Sequence, residues 1–246
     1  MCATFGITTR QPRIIPLEQV VDRLRESPNV CDQRKARDIH KLKALAEGLW
    51  SGRLVPVGAD CGRQRSLDVI VQLDMPGLVW RGQPEPHRNW TMMIAVPHNY
   101  PTVQPEVRFV GRDIPYCSHV IHREFLPDEK GLPLELRQFV EAVRAGRDGE
   151  CCYLRYKQWS PLTTHDLARA VTWQVSRILT GAKLFGERGS LNNHARDYYQ
   201  RLHEEKRLPL GPALPMPLGE AVGDPSSADP KAGDDDEDAI EWISQP

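Results

Sequence analysis

The sequence predicts an α+β fold in which helices bracket an antiparallel meander. Three observations carry this reading. Apolar residues recur at helical spacing before residue 50 and again after residue 160. Between residues 66 and 110 they alternate at strand spacing. The strand segments follow one another through short connections with no helix between them, which is the grammar of an antiparallel sheet. The chain has 246 residues, 40% of them apolar, enough to bury one sizeable core.

The elements follow in order. Ile14, Leu17, Val20, Val21 and Leu24 give residues 14–26 one apolar face, Pro16 suits a first helical turn, and Ser27-Pro28-Asn29 breaks it. Asp32 has the chemistry of an N-cap for a longer helix through Leu49, with Ala36, Ile39, Leu42, Leu45, Ala46 and Leu49 aligned. Arg34, Lys35, Arg37, Lys41 and Lys43 lie opposite, and read either as a solvated face or as a docking surface. Four strands are expected: Ser66–Leu73, Leu78–Trp80 after a Pro76-Gly77 turn, Trp90–Val96 after a Gly/Pro-rich connection, and Pro105–Val110. Residues 111–131 read as irregular, followed by a short helix from Pro133 to Ala145. Thr163-Thr164 can cap a helix reaching Thr180, and a last helix covers Asn193 to Arg207. From Leu208 onward Pro, Gly, Ser and Asp dominate, so that tail is expected to be disordered.

Charge is unevenly spread. Residues 211–246 hold nine acids against one base, a tail at −8, and residues 1–210 hold 31 bases against 24 acids, a body at +7. The body has no dense Lys/Arg stripe, so no nucleic-acid partner is expected. No stretch reaches the roughly 18 apolar residues of a membrane helix, and the first residues form no apolar signal core, so no membrane partner and a cytoplasmic location are expected. Six cysteines form no regular disulfide framework; they read as buried fillers, metal ligands or one reactive thiol.

The stretch richest in chemistry is Asp148-Gly-Glu-Cys-Cys152-Tyr, running on to Trp159-Ser160-Pro161. A glycine before the cysteines allows an open backbone, whereas two adjacent cysteines also suit a buried apolar pair. Upstream stands Tyr100-Pro101-Thr-Val-Gln-Pro105, leading into the last strand. These three motifs, in this order on these elements, resemble the ubiquitin-conjugating enzyme family over roughly residues 33–205. Cys152 falls in the nucleophile place, and the wider pattern is similar to divergent members found in bacterial conjugation operons. Where the family has His-Pro-Asn, this chain reads Cys117-Ser-His119-Val-Ile-His122, with no matching asparagine. Thirty-two residues separate His119 from Cys152, so residues from about 123 to 147 look like an insertion.

The resemblance implies three regions: an extension over 1–31 with a short helix, a catalytic domain over 32–207, and the acidic tail over 208–246. It implies that Cys152 accepts a ubiquitin-like modifier from an activating enzyme as a thioester and passes it to an amine of a protein acceptor. His119, His122 and Asp148 are candidates for activating or orienting that amine; each suits loop hydrogen bonding equally well. No cofactor and no metal is implied. The resemblance also makes the basic helix face a surface for the activating enzyme, where reversing Arg34, Lys35 and Arg37 should slow charging without unfolding. An inactive module that binds a ubiquitin-like partner is the alternative. Zinc held by Cys117, His119 and His122 with Cys151 or Cys152 is a third arrangement. The Cys-Trp helix start of papain-like proteases is absent. In the tail, five acids precede Ile240, Trp242 and Ile243, a composition that fits a short docking motif for a partner groove or for the body itself. A long free linker from Leu208 favours the partner.

Overall fold

The computed structural model describes residues 14–60, 67–126, 133–142, 147–153, 159, 166–183 and 191–217. Over these residues the fold is α+β, with helices α1 (Leu17–Glu26) and α2 (Val30–Glu47) ahead of the sheet. The strands β1 (Leu54–Asp60), β2 (Leu67–Trp80), β3 (Pro84–Val96) and β4 (Glu106–Val110) come next, then a 3₁₀ turn at Arg123–Phe125 and helix α3 (Leu134–Ala142). Strand β5 (Glu150–Cys151) closes the sheet, and a π-helical stretch, Leu167–Trp173, runs directly into α4 (Gln174–Thr180) before α5 (Asn193–Glu204).

The sheet is antiparallel and has five strands in the order β1-β2-β3-β4-β5, not the four expected. β1 and the two-residue β5 are additional, and the first two expected strands are one. Pro76-Gly77 does not turn the chain; it forms an irregularity in the β2–β3 register between Asp74 and Gly77. A Cβ on Gly77 would lie 2.9 Å from the Trp90 ring, and the Trp90 indole N–H donates to the Met75 carbonyl at 2.9 Å. Residues 84–89, expected as a connection, continue β3 and pair with β2 alone, so their prolines sit where no second neighbour needs an N–H. The expected alternation holds on the core face. Leu67, Val69, Val71 and Leu73 of β2, Trp90, Met92, Ile94 and Val96 of β3, and Val107 and Phe109 of β4 are all buried. α4 packs on β2 and α2 on β1, and the π stretch packs against α2 and α4.

α2 is capped three residues before the expected Asp32. Asn29 is its N-cap, accepting from the Cys31 N–H at 2.8 Å, and Asp32 accepts instead from the Ser27 hydroxyl and the Lys35 ammonium. The basic face is largely paired within the fold. Lys35 is buried and also donates to the His98 carbonyl, Arg34 pairs with buried Asp38 at 2.7 Å, Lys41 pairs with Asp166 at 2.6 Å, and Lys43 pairs with Glu18. Arg37 and Lys41 are the two of the five that stay exposed. These pairs tie α2 to α1, to the turn after β3 and to the start of the π stretch.

The later helices shift as well. Asp166 caps the helical segment by accepting from the Arg169 N–H at 2.6 Å; Thr163 and Thr164 lie outside the described residues. α5 stops at Glu204, short of Arg207, and Lys206 then takes a left-handed conformation. Residues 208–217 correct the expectation of disorder from Leu208. They form an extended strap along α4 and the turn between α2 and β1. The Leu210 N–H donates to the Thr180 carbonyl at 2.8 Å, and the Leu214 N–H donates to the Ser176 hydroxyl at 3.1 Å. Arg53 donates to the carbonyls of Pro212 and Ala213, and the Trp50 indole to that of Pro215 at 2.8 Å. Leu214 is buried against the core. A proline-rich segment cannot form a helix or a central strand, but its carbonyls remain free to accept, and Trp50 and Arg53 supply the donors. Residues 218–246 lie outside the described residues. Among the described residues no helix is long and apolar enough to cross a membrane.

Candidate active site around Cys152

Cys152 is held by the end of a short ladder. On one side of β5, Val107 pairs with Cys151, Arg108 pairs with Glu150, and the Phe109 N–H donates to the Gly149 carbonyl at 2.8 Å. On the other side lies the segment 119–121. The Gly149 N–H donates to the Ile121 carbonyl, the Ile121 N–H to the Glu150 carbonyl, and the Cys152 N–H to the His119 carbonyl at 2.8 Å. The 32 residues between His119 and Cys152 in the sequence therefore leave and return at one neck, and the two residues meet through their backbones.

Gly149 makes this neck possible. Its φ is +83°, and a Cβ there would lie 2.2 Å from the Phe109 carbonyl oxygen. The glycine of the Gly-x-x-Cys spacing thus has a local physical reason: it lets the chain enter the sheet against β4. Alternation then sorts the side chains that follow. Cys151 and Tyr153 are buried, and Cys152 between them is half-buried. The Tyr153 hydroxyl donates to the Pro105 carbonyl at 2.8 Å, anchoring the chain just past Cys152 to the approach of β4.

The thiols differ in the same way. Burial pushes the Cys117 thiol up to about 12 and the Cys151 thiol well above the ordinary range, so both stay protonated and unreactive at neutral pH. Among the described cysteines, Cys31 and Cys152 have partial access to solvent, and Cys31 lies in the first turn of α2, away from this ladder.

The other candidate residues take distinct positions. His119 is buried, and desolvation with the added repulsion of Lys183 pushes its imidazole down to about 3. It is neutral at physiological pH, and its contact with Cys152 is through its carbonyl. His122 is buried at the neck, its Nδ1 facing the Glu124 N–H at 3.4 Å and its ring 5.2 Å from that of Phe125. Burial lowers its pKa, against the pull of nearby Asp148. Asp148 accepts from the Arg123 N–H at 3.0 Å and so fastens the 3₁₀ turn to the returning strand. His119, His122 and Asp148 thus all border the neck that carries Cys152.

The motifs read separately in the sequence also meet. The Trp159 indole N–H donates to the Pro101 carbonyl at 2.6 Å, and the rings of Tyr100 and Trp159 lie 6.1 Å apart. Ser160 and Pro161 lie outside the described residues. The Tyr100 hydroxyl donates to Asp38, which ties the Tyr-Pro element to α2. Sequence reasoning missed Lys183, just beyond the C-terminus of α4, whose charge reaches His119 and whose ammonium donates to buried Gln174 at 3.0 Å. It also missed Asn192, the buried cap of α5, whose N–H and that of Leu191 donate to the Ser118 carbonyl. Neither carries a motif, and both act through long-range contacts.

The zinc arrangement is not assembled: among the described residues, no group of three or more His, Cys, Asp or Glu side chains is placed to hold a metal ion. Strand alternation is the reason on the β5 side, since it turns Cys151 into the core and Cys152 away from it. A search against protein-family profiles and against curated proteins finds no match to this chain.

Proposed function

We propose that this protein is a conjugating enzyme for a ubiquitin-like modifier, carrying the modifier as a thioester on Cys152. One observation supports this most: an accessible thiol on a glycine-anchored ladder, flanked by buried Cys151 and Tyr153, with the Tyr-Pro and Trp motifs in mutual contact nearby. In the first step the Cys152 thiolate attacks the carbonyl carbon of the modifier's thioester on the activating enzyme. A new C–S bond forms, the old one breaks, and the activating enzyme's cysteine leaves as thiolate. Such an exchange trades like bonds, so it mainly demands thiolate access and positioning. In the second step an acceptor amine attacks the same carbon, a C–N bond forms, Cys152 leaves as thiolate, and the amine proton passes to a base.

The inactive module remains the second reading, and one observation favours it. The Cys152 N–H is committed to the His119 carbonyl, so it is not available to stabilise an oxyanion, and no asparagine stands between His119 and Cys152. One experiment separates the two. The full chain is incubated with an activating enzyme, its ubiquitin-like modifier and ATP, and adducts are resolved without reductant. The proposal expects an adduct that dithiothreitol cleaves, lost in Cys152→Ala and converted to a reductant-resistant ester or lost in Cys152→Ser. Non-covalent binding without any adduct supports the inactive module. Charging that survives Cys152→Ala and is lost in Cys151→Ala places the nucleophile one residue earlier.

A further inference from the structure

The strap over residues 208–217 hangs from α5, but the cradle that holds it is built from other elements. Trp50 and Arg53 stand at the turn between α2 and β1, Pro76 on β2, and Ser176 and Thr180 on α4. The carbonyls of Pro212, Ala213 and Pro215 each receive a side-chain donor, and Leu214 between them is buried in the core. A Cβ on Gly211 would lie 2.6 Å from the Pro76 ring, closer than a side chain can sit without moving that ring. An occupant of the cradle must therefore offer Gly-Pro-x-Leu-Pro in extended form. Proline supplies a pre-extended backbone with free carbonyls, and leucine supplies the anchor. That sequence stands at residues 211–215, so a second copy of this chain carries a matched ligand.

The hinge between α5 and the strap has two accessible forms. In the closed form the N–H groups of Glu205, Lys206 and Arg207 donate to the carbonyls of Arg201, His203 and Leu202. This closure holds Lys206 at φ +56°, the one non-glycine residue with positive φ among the described residues. A left-handed lysine is disfavoured by roughly 5- to 30-fold. Glu, Lys and Arg are good helix formers, and continuing α5 through Arg207 keeps these N–H groups bonded while removing the strain. Pro209 then ends the helix, because Leu208 before it resists the helical conformation. An extended α5 carries the strap away from its own cradle.

We infer that the strap exchanges between two copies of this chain, each filling the other's cradle with residues 208–217. The cradle contacts of the closed chain are remade in the pair, so hinge and concentration set the balance. The short hinge gives the closed form a high effective concentration, and relief of strain at both Lys206 residues opposes it. The pair is therefore favoured in concentrated protein. This inference does not rest on the chemistry of Cys152.

The test mixes ¹³C,¹⁵N-labelled and unlabelled full chains and incubates them together at about 1 mM, where a tethered segment no longer outcompetes a free one by a wide margin. The expected result is a dimer by sedimentation and an isotope-filtered NOE from the labelled Trp50 indole N–H to unlabelled strap protons at Pro215 and Met216. Lys206→Gly relaxes both closed hinges and should weaken the pair by about 25-fold or more. Lys206→Pro cannot reach φ +56° and should shift the balance toward the pair. A dimer without the filtered NOE places the contact elsewhere and overturns the inference, as does a chain that stays monomeric at this concentration. A folded, monomeric Lys206→Pro overturns it too; should that variant fail to fold, the wild-type NOE decides. A synthetic peptide of residues 208–217 that enters the cradle while no interchain NOE forms would replace the second copy with a separate proline-rich partner, and so also overturns it. None of these readouts involves charging of Cys152, so failure here and failure of the proposed function are separately visible.

Discussion

Replacing Gly149 with alanine tests the geometry that presents Cys152, and Gly82 supplies an internal control. The two glycines have nearly the same backbone, φ +83° and +84°, but a Cβ on Gly82 meets nothing within 4 Å, whereas one on Gly149 lies 2.2 Å from the Phe109 oxygen. The left-handed conformation alone costs an alanine about 1–2 kcal/mol. That cost applies to both variants. The overlap with a backbone oxygen in a hydrogen-bonded ladder adds about 1–3 kcal/mol at Gly149 alone, because the backbone itself must shift. Gly149→Ala should therefore lose about 2–5 kcal/mol and Gly82→Ala about 1–2 kcal/mol. At roughly 2–4 °C per kcal/mol for a chain of this size, the extra loss at Gly149 lowers the melting temperature by about 2–12 °C beyond the control. The second assay is alkylation read by mass spectrometry. In the native chain Cys152 reacts well ahead of Cys117 and Cys151, and in Gly149→Ala the protection of Cys151 should fall as β5 loosens. Equal melting temperatures in the two variants would refute the reasoning, because they would mean that the approach to Phe109 carries no constraint.

Three further outcomes follow from the packing. Because the His119 pKa is lowered in the fold, the unfolded chain takes up a proton below about 6.5 that the native state refuses, so its stabilising share is full above that pH and is lost as pH falls toward about 3. Denaturant titrations from pH 7 to pH 5 should fall less steeply in His119→Gln, by about 2 kcal/mol over the interval at 1.4 kcal/mol per pH unit, and an unchanged slope would contradict a buried neutral imidazole. Truncation after Arg207 should destabilise the chain by several kcal/mol whereas truncation after Pro217 should not, and Leu214→Ala should cost about 2–4 kcal/mol in the same denaturation assay. Arg34→Glu should cost about 3 kcal/mol by replacing the nearest cation of buried Asp38 with a like charge, whereas Arg37→Ala at the exposed end should change stability by less than about 0.5 kcal/mol.

What was legible in the sequence was what local pattern encodes. The core faces of β2, β3 and β4 follow from alternating apolar residues, α1 follows from its apolar spacing behind Pro16, and α5 begins at the expected Asn193. The choice of Cys152 over Cys151 rested on the resemblance alone; β5, whose alternation leaves Cys152 half-buried and Cys151 buried, was not legible. β1 was missed because Pro56 and Gly58 interrupt its pattern, and Pro76-Gly77 was misread because an irregularity inside a strand uses the residues of a turn. The basic residues of α2 were misread for a different reason: their partners Glu18, His98 and Asp166 are remote in sequence, and pairing across such distances leaves no local trace. The approach of His119 to Cys152 was concealed in the same manner, by a long excursion whose ends touch. The strap shows the limit of composition, for two donors, Trp50 and Arg53, and two acceptors on α4 suffice to fix a stretch that reads as unstructured.

The neck between Ile121 and Gly149 has a consequence for how such chains can vary. Because the outgoing and returning strands are hydrogen-bonded at the point where the excursion begins, its ends need to span no more than a hairpin turn does. The residues between Phe125 and Asp148 can lengthen or shorten while the thiol keeps its setting, provided that the neck residues His122 and Asp148 stay in place. The number of residues between a histidine and a cysteine is then a poor guide to kinship. Two chains with very different counts can present the same sulfur on the same ladder, and a comparison that aligns them by spacing will part them at the place where they are most alike.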